Sequence, residues 1–542
     1  MKSSLVLESD GVPVSGLGRF TLTDRQLALV LSGVLFVVAA WPLALTEVPP
    51  YQDLPNHLAT TTVIGNLAAY PEYTFNGFLK TNAALFTWLF FVGKLTGMNA
   101  AARLFALLVI GLNALLLPRF VLALTQSRGR MVAASLFAWP MAHNWFVSMG
   151  MLDFALAVPL SLALLVFVER QRRAPSAKNV AAIVALGVAT WYAHVFPLLA
   201  VHLLVALEAV RAPAWKERVA SLRAMLAPLL PATALTLLSF VLHLEDAVAP
   251  ITGATVSTKL IAPWELVYNL WAQWFWGYSN LSLSSLVPCV LLAFVAVPRL
   301  FARTPAPAFF SPVALVALAV LFCFVPYKMT NWFHVNSRFI PFLWIGLLLY
   351  VPERLPRALA GVLGVSAALY SVGMGVDYVR LDRERAEFTA GIEAVPEGAK
   401  LMPLMFQHKG ASANTRNLLH MWGYYVIEKK TSAPLLFAHS RSFPLTYAEP
   451  LPPARFNHLV LEAFAPEAGT PKAVCNAAAR EGECDQLFAS TWRRFYDEAT
   501  PRYDHLLLWD APAAATAMVP ADYTRTFARG RLAIYARRDV KR

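Results

Sequence analysis

The sequence predicts an α-helical polytopic membrane protein of about eleven transmembrane helices, followed by a C-terminal extracytoplasmic α/β domain. Three observations carry this reading. The 542 residues are 57% hydrophobic and only 15% charged, with a mean hydropathy of +0.51, whereas soluble domains reach roughly 45 to 50% apolar even with glycine counted. Apolar runs separated by short basic loops recur up to residue 376. Beyond that, buried-strand patterns alternate with helical ones.

The formal charge of +13 is read as membrane topology and not as nucleic-acid binding, because the basic residues gather in the short loops between apolar runs. Residues 1–24 lack an apolar run that ends at a small-residue cleavage site, so they are expected to be a cytoplasmic tail and not a signal peptide. A first span at 27–45 leads to a first outer loop at 46–80. The next run, 82–98, is short and broken by Gly93 and Lys94. Reading it as a juxtamembrane segment keeps Arg119, Arg128 and Arg130 on the cytoplasmic side.

The remaining spans are then expected at 104–124, 132–146, 154–168, 180–192, 195–210, 225–242, 283–297, 312–326, 339–350 and 358–374. The loops so assigned to the cytoplasm carry most of the arginines and lysines. The amino end is therefore inside and the carboxyl end outside. Residues 25–376 form the transmembrane domain in this scheme, and residues 377–542 the outer α/β domain.

In the outer domain the strand patterns are LMPLMF, APLLFA, HLVLEAF and YDHLLLWD. Helical patterns are TRNLLHMWGYYVIEKK and the stretch around DQLFASTWRRFYDEA. Four cysteines are too few for a disulfide scaffold or a multi-cysteine zinc module. Cys289 and Cys323 lie in apolar runs. Cys475 and Cys484 can bridge if that region faces an oxidising compartment and the geometry allows it.

The polar residues of the membrane part collect on the outer side. Asp53 and His57 come from the first outer loop, EVPPYQDLPNH, with His143 and Asp153 from the second and His194 from the third. Glu245 and Asp246 come from the fourth, and Lys328, His334 and Arg338 from the fifth, KMTNWFHVNSR. A pump or channel places ionisable residues in mid-span. Here the mid-span stretches are almost free of charge, which favours chemistry at the outer membrane surface.

This layout resembles the GT-C glycosyltransferases, most closely the protein mannosyltransferases and the lipid A aminoarabinose transferases: a long first outer loop with an acidic residue near its start, a juxtamembrane segment, about eleven spans and an outer C-terminal domain. Within that superfamily, YQDLPNHLA is similar to the first-loop motif of uncharacterised bacterial membrane proteins. The motif lacks the paired Asp-Glu of the mannosyltransferases, since Gln52 precedes Asp53 and Leu54 follows it. The substrate therefore does not carry over.

The resemblance implies a polyprenyl-phosphate-linked sugar donor, an extracytoplasmic acceptor (a cell-envelope glycan, lipid or protein), no nucleic acid, and residence in a bacterial inner membrane. A hydroxyl acceptor needs a carboxylate to take its proton, for which Asp53 is the candidate. The departing lipid phosphate needs cations. Arg338 and Lys328 are the candidates, with His334 beside them and with His57, Asp153 and His194 as supporting residues. Displacement in one step inverts the anomeric centre.

Each residue also has a plainer role open to it. Asp53 can be the N-cap of a helix that has Pro55 in its first turn, and Asp153 can be a helix-start aspartate. His57 can be a surface imidazole, while His194 can act locally in its turn. Arg338 and Lys328 can be interfacial anchors. Asp53, His57 and Asp153 together are also a conceivable Mg or Mn set, so metal dependence stays open. The tryptophans of 263–279 suit either sugar stacking or an interfacial aromatic belt. The rival reading from another class is a non-enzymatic polytopic protein, a lipid-linked glycan flippase or an envelope-assembly scaffold.

Overall fold

The structure is a computed structural model. It describes residues 22–242, 258–278, 280–302, 305–329, 332–412, 414–438, 441–448, 490, 493–498 and 500–539. The strand pattern HLVLEAF, Cys475 and Cys484, Glu245 and Asp246, and most of the helical stretch around DQLFASTWRRFYDEA lie outside these residues.

The amino-terminal bundle opens with α1 (Asp24–Ala40), whose Thr23 and Gln26 form a reciprocal capping box. After the first outer loop and its helix α2 (Leu54–Gly65) come α3 (Ala84–Thr96) and α4 (Met98–Thr125). Next are α5 (Arg128–Ala142), the short α6 (Trp145–Met149) and α7 (Leu152–Arg173). They are followed by α8 (Ala177–Ala193), α9 (Val195–Ala209), α10 (Trp215–Leu226) and α11 (Leu230–Leu242). The second half holds α12 (Pro263–Ala272), α13 (Ser282–Leu300), α14 (Pro312–Phe324), α15 (Ile340–Leu348) and α16 (Arg357–Thr389).

Six helical segments among the described residues are long and apolar enough to cross a membrane: Asp24–Leu45, Met98–Thr125, Leu152–Arg173, Trp215–Val241, Ser282–Leu300 and Arg357–Ala394. The other apolar runs are helical but shorter, as α5, α8, α9, α14 and α15. Several helices turn apolar side chains outward, such as Val30, Val34 and Val37 on α1 and Val365, Leu369 and Val372 on α16. Water would penalise such faces and lipid does not. The spanning window of α7 is 78% buried within the protein, and α4, α8 and α9 pack around it. It is the central post of the bundle.

The run at 82–98 is α3. Its 13 residues span about 20 Å, less than a hydrocarbon core of about 30 Å. It ends at Gly97, whose φ of +85° turns the chain back so that α3 packs on α4.

The last apolar run and the amphipathic stretch after it are one helix. The 33 residues of α16 measure about 50 Å, enough to cross a bilayer and rise well clear of it. Residues 376 and 377 lie inside this helix.

The strands are β1 (Tyr73–Phe75), β2 (Thr258–Lys259), β3 (Lys328–Met329), β4 (Leu401–Met405), β5 (Leu445–Tyr447), β6 (His505–Trp509), β7 (Tyr523–Arg529) and β8 (Leu532–Arg537). A four-stranded sheet has the order β4-β6-β8-β7. Its β4/β6 pair is parallel and the other pairs are antiparallel. Two of the four expected strand patterns, LMPLMF and YDHLLLWD, form its parallel pair, and both β4 and β6 are fully buried.

APLLFA is a turn and not a strand. Its backbone groups are taken by side chains from elsewhere: Ala433 O accepts from Tyr73 Oη at 2.5 Å, Leu435 O from Asn56 Nδ2 at 3.0 Å, and Phe437 N–H donates to Asn56 Oδ1 at 3.0 Å. The pattern TRNLLHMWGYYVIEKK is helical only in α17 (Gly423–Lys429), because the residues before it fold as turns against the first outer loop. A short α18 (Ala513–Ala517) precedes the final hairpin.

The loop at 46–80 and the C-terminal region are folded together. β1 pairs antiparallel with β5, Tyr73 opposite Tyr447. Lys80, 8% exposed, donates through Nζ to the carbonyls of Arg441 and Phe443 at 2.8 and 3.2 Å. Asn76 N–H donates to Pro444 O at 2.7 Å.

Candidate functional site

Asp53 occupies the N-cap position of α2, with Pro55 in the first turn, but its side chain makes no capping hydrogen bond. The carboxylate is therefore not used to close the helix. Its backbone is clamped by the C-terminus of α6: Asp53 N–H donates to Met149 O at 3.0 Å and Gln52 N–H to Ser148 O at 3.2 Å. This approach depends on Gly150, the left-handed C-cap of α6 at φ +84°. Asn144 at the other end accepts from Phe146 N–H and Val147 N–H, so both ends of a helix only five residues long are fixed.

The Asp53 side chain is 17% exposed and sits in a polar pocket built from both ends of the sequence. Gln52 Nε2 donates to Asp53 Oδ1 at 3.2 Å, while Gln52 Oε1 accepts the backbone N–H of Arg416 at 2.8 Å. His420 Nε2 lies 3.5 Å from the same Oδ1.

Asn56 fixes the tautomer of that imidazole. Its Oδ1 accepts from Phe437 N–H and its Nδ2 donates to Leu435 O, leaving the second amide hydrogen for His420 Nδ1 at 3.3 Å. Nδ1 is therefore the acceptor, and the Nε2–H faces Asp53. Burial first, then the charge of Arg416 and the neighbouring His57 and His408, pull His420 well below the ordinary imidazole range. The ring that faces Asp53 is thus neutral, and the 3.5 Å contact is not an ion pair.

His57, one turn along α2, is buried against Phe86 and Phe437. Its Nδ1 is enclosed without a hydrogen-bond partner, and burial lowers its pKa to about 4.

At the amino end of α6, the Trp145 ring meets His334 edge-on, with centroids 4.8 Å apart. His334 has a left-handed backbone, φ +56°, a conformation rare outside glycine and short polar residues. Its Nδ1 faces Gln273 Nε2 at 3.4 Å and its Nε2 faces Tyr327 Oη at 3.2 Å. Burial, with Arg338 and Arg416 adding to it, lowers this imidazole to about 3.

Arg338 is only 5% exposed. Its guanidinium lies over the rings of Phe196 and Trp332 at 5.2 and 5.4 Å, and its Nε is buried with no hydrogen-bond acceptor. Among the described residues it has no carboxylate partner. A buried guanidinium that lacks an anion is costly. α6, five residues and about 7.5 Å long, thus carries the clamp on Asp53 at one end and the ring that packs on His334, beside Arg338, at the other.

The remaining expected residues are placed as follows. Lys328 is on β3, half-buried, with Nζ 5.1 Å from the Phe333 ring. His194 is the N-cap of α9, its Nδ1 accepting from Phe196 N–H at 3.1 Å. Asp153 Oδ1 accepts Leu85 N–H at 2.8 Å, so this carboxylate caps α3 across space. It is bound there and does not stand with Asp53 and His57.

Among the described residues, no three His, Cys, Asp or Glu side chains converge as a metal set. The residues named for Mg or Mn do not fit that role together. Of the tryptophans, Trp274 is fully buried, whereas Trp271 and Trp276 stack on one another at 4.9 Å.

Sequence reasoning missed the contribution of 408–420. This stretch supplies His408, Arg416 and His420, and the charge of Arg416 helps to lower His408, His420 and His334. Its density of His, Lys, Asn, Thr and Arg between a strand and a helix is the signal available from sequence.

No protein-family model matches the chain, and no curated protein matches it by sequence. Solved structures do. The crystal structure of ArnT from Cupriavidus metallidurans bound to undecaprenyl phosphate is 12% identical, covering 94% of this chain and 98% of that one, with a TM-score of 0.51. Its apo state matches over 94% and 97% at 12% identity and a TM-score of 0.52. The arabinofuranosyltransferase AftD from Mycobacteria, as its R1389S mutant, is 14% identical over 94% of this chain and 41% of that one, at a TM-score of 0.47. The likeness to ArnT extends over nearly the whole of both chains, and it shows that this chain shares the fold of ArnT.

Proposed function

We propose that this chain is a GT-C glycosyltransferase that moves a sugar from a polyprenyl-phosphate-linked donor to an extracytoplasmic acceptor. The fold it shares with ArnT, whose crystal structure holds undecaprenyl phosphate, supports a lipid-linked donor. The observation that carries the reading is the pairing of two unusual groups about α6: a carboxylate that forgoes its helix cap, and a buried guanidinium without an anion.

In this mechanism Asp53 accepts the proton of the acceptor hydroxyl as its oxygen attacks the anomeric carbon. The neutral His420 ring, held by Asn56, and Gln52 fix the carboxylate's orientation. The bond to the donor phosphate breaks as the new glycosidic bond forms, so the anomeric centre inverts. Negative charge grows on the departing phosphate, where Arg338 supplies its unused N–H groups and its charge. Lys328 and His334 line the same outer side, with the imidazole neutral and acting as a hydrogen-bonding group. His57 backs the carboxylate from the apolar side of α2. No step is routed through a metal.

The test is Asp53→Asn in the full-length protein, read by envelope lipid and glycan mass spectrometry of a complemented deletion strain. Loss of the glycan at normal protein level is expected. Unchanged glycan at normal protein level overturns Asp53 as the base. An unchanged envelope in the deletion strain itself would favour the scaffold reading.

A further inference from the structure

At the end of the bundle remote from Asp53 the helices enclose a second polar site. Glu169 lies 16 residues beyond Asp153 on α7, about 24 Å along the helix. There a cavity of about 330 Å³ is lined by Arg130, Glu169, Arg172, Arg173, Glu208 and Arg211 and walled by residues 305–308.

The carboxylates are the buried members. Glu169, with its side chain 4% exposed, accepts from Arg172 Nε and Nη2 at 2.7 Å and from Arg173 Nε at 2.6 Å. Glu208 accepts from Arg211 Nη1 at 2.7 Å and from Phe309 N–H at 3.0 Å. Arg130 reaches the Val351 carbonyl through Nε at 3.0 Å.

Four guanidinium groups against two carboxylates leave the lining with two uncompensated positive charges. Each guanidinium carries five N–H donors, and those of Arg130 and Arg173 are anchored through Nε alone, which leaves their outer edges for another acceptor. The facing wall, Pro-Ala-Pro-Ala, has no polar side chain to compete. The cavity opens where α4 ends, at Leu124 and Thr125, the level at which a spanning helix meets the headgroups.

We infer that this cavity is a binding site for a phosphate-bearing anion, taken up in the fork of Arg130, Arg173 and Arg211, with Glu169 and Glu208 holding the arginines in place. The phosphate belongs either to the headgroup of an anionic phospholipid or to a free phosphate. Basic pockets between transmembrane helices suit both. The site is separate from the Asp53 pocket, and its existence does not depend on the transferase reading.

The test uses the full-length protein in neutral detergent at constant ionic strength and reads its unfolding temperature. One arm adds inorganic phosphate in place of chloride. The other adds phosphatidylglycerol in place of phosphatidylcholine. A saturable rise in one arm is expected, and the arm that responds identifies the source.

Arg173→Gln with Arg211→Gln is expected to weaken the response by about tenfold or more, while Arg357→Gln, an exposed arginine outside the cavity, retains it. If the double variant does not fold, Arg130→Gln replaces it, since that guanidinium pairs with a carbonyl and not with a carboxylate. The proposal is overturned if neither arm shifts the wild-type protein, or if the cavity variants respond as the wild type does.

Discussion

Gly150 and Asp53 are packed backbone against backbone: a methyl group on Gly150 would lie 2.8 Å from the Asp53 nitrogen and 3.0 Å from its Cβ. Gly150 also sits at φ +84°, where L side chains are strained. Gly150→Ala is therefore expected to cost about 1–3 kcal/mol and to displace Asp53 from its carbonyl clamp. The check is a fall in transferase activity larger than the fall in folded protein. Wild-type activity in the folded variant would show that the clamp does not position the carboxylate.

In the proposed mechanism His420 acts through Asp53, as a positioning residue. His420→Ala is expected to lower kcat by about tenfold while leaving the donor KM unchanged, and to shift the acid limb of the pH profile. His420→Gln, whose amide N–H can replace the ring donor, is expected to recover part of the activity. An unmoved pH profile in the alanine variant would reduce the histidine to packing.

Arg338→Gln separates function from stability. The guanidinium is buried without an anion, so removing its charge is expected to leave the unfolding temperature unchanged or raise it. Donor binding is expected to weaken, with a higher KM and a lower kcat. Loss of folding in this variant would make Arg338 a structural brace.

Acid is expected to loosen the outer face. His57 and His408 are lowered to about 4, and His334 to about 3, chiefly by burial. The unfolded chain binds protons near pH 6.5 and the folded chain does not, so these groups contribute stability that is intact above pH 6.5 and lost as pH falls toward 4. Moving one imidazole from 6.5 to about 4 corresponds to roughly 3 kcal/mol. The measurement is the unfolding temperature between pH 7 and 4 (about the window the shifts define), compared with His57→Gln, which is expected to flatten part of the slope.

Most of the helical body was legible because its signal is local: apolar runs of helical length, with caps such as Thr23, Ser127 and Ser176 at their starts. The expectation that Asp53, His334 and Arg338 lie on one side of the membrane part rests on the same runs. What the sequence hid depends on distant pairing. APLLFA has the composition of a strand, yet Asn56 and Tyr73, more than 350 residues earlier, bind its backbone. The helical pattern before Gly423 is overridden because Gly423 packs on Pro55, where a Cβ would stand 2.4 Å from the Pro55 oxygen. For the same reason His420 and Arg416 escaped notice: their partners, Asp53 and Gln52, lie in the first outer loop. Asp153 is a polar residue in the sequence, but its target, the start of α3, is a neighbour only in three dimensions.

The bond between Asn56 and His420 joins positions 364 residues apart. At about 5–20 residues per second of synthesis, the ribosome needs roughly 20 to 70 s after making the first partner before it makes the second. Throughout that interval the surroundings of Asp53 are incomplete, and a nascent chain stalled before residue 420 would hold the carboxylate without the ring that lies against it. Under the proposed mechanism, newly made protein is thus expected to be inert until its final third has been made and folded.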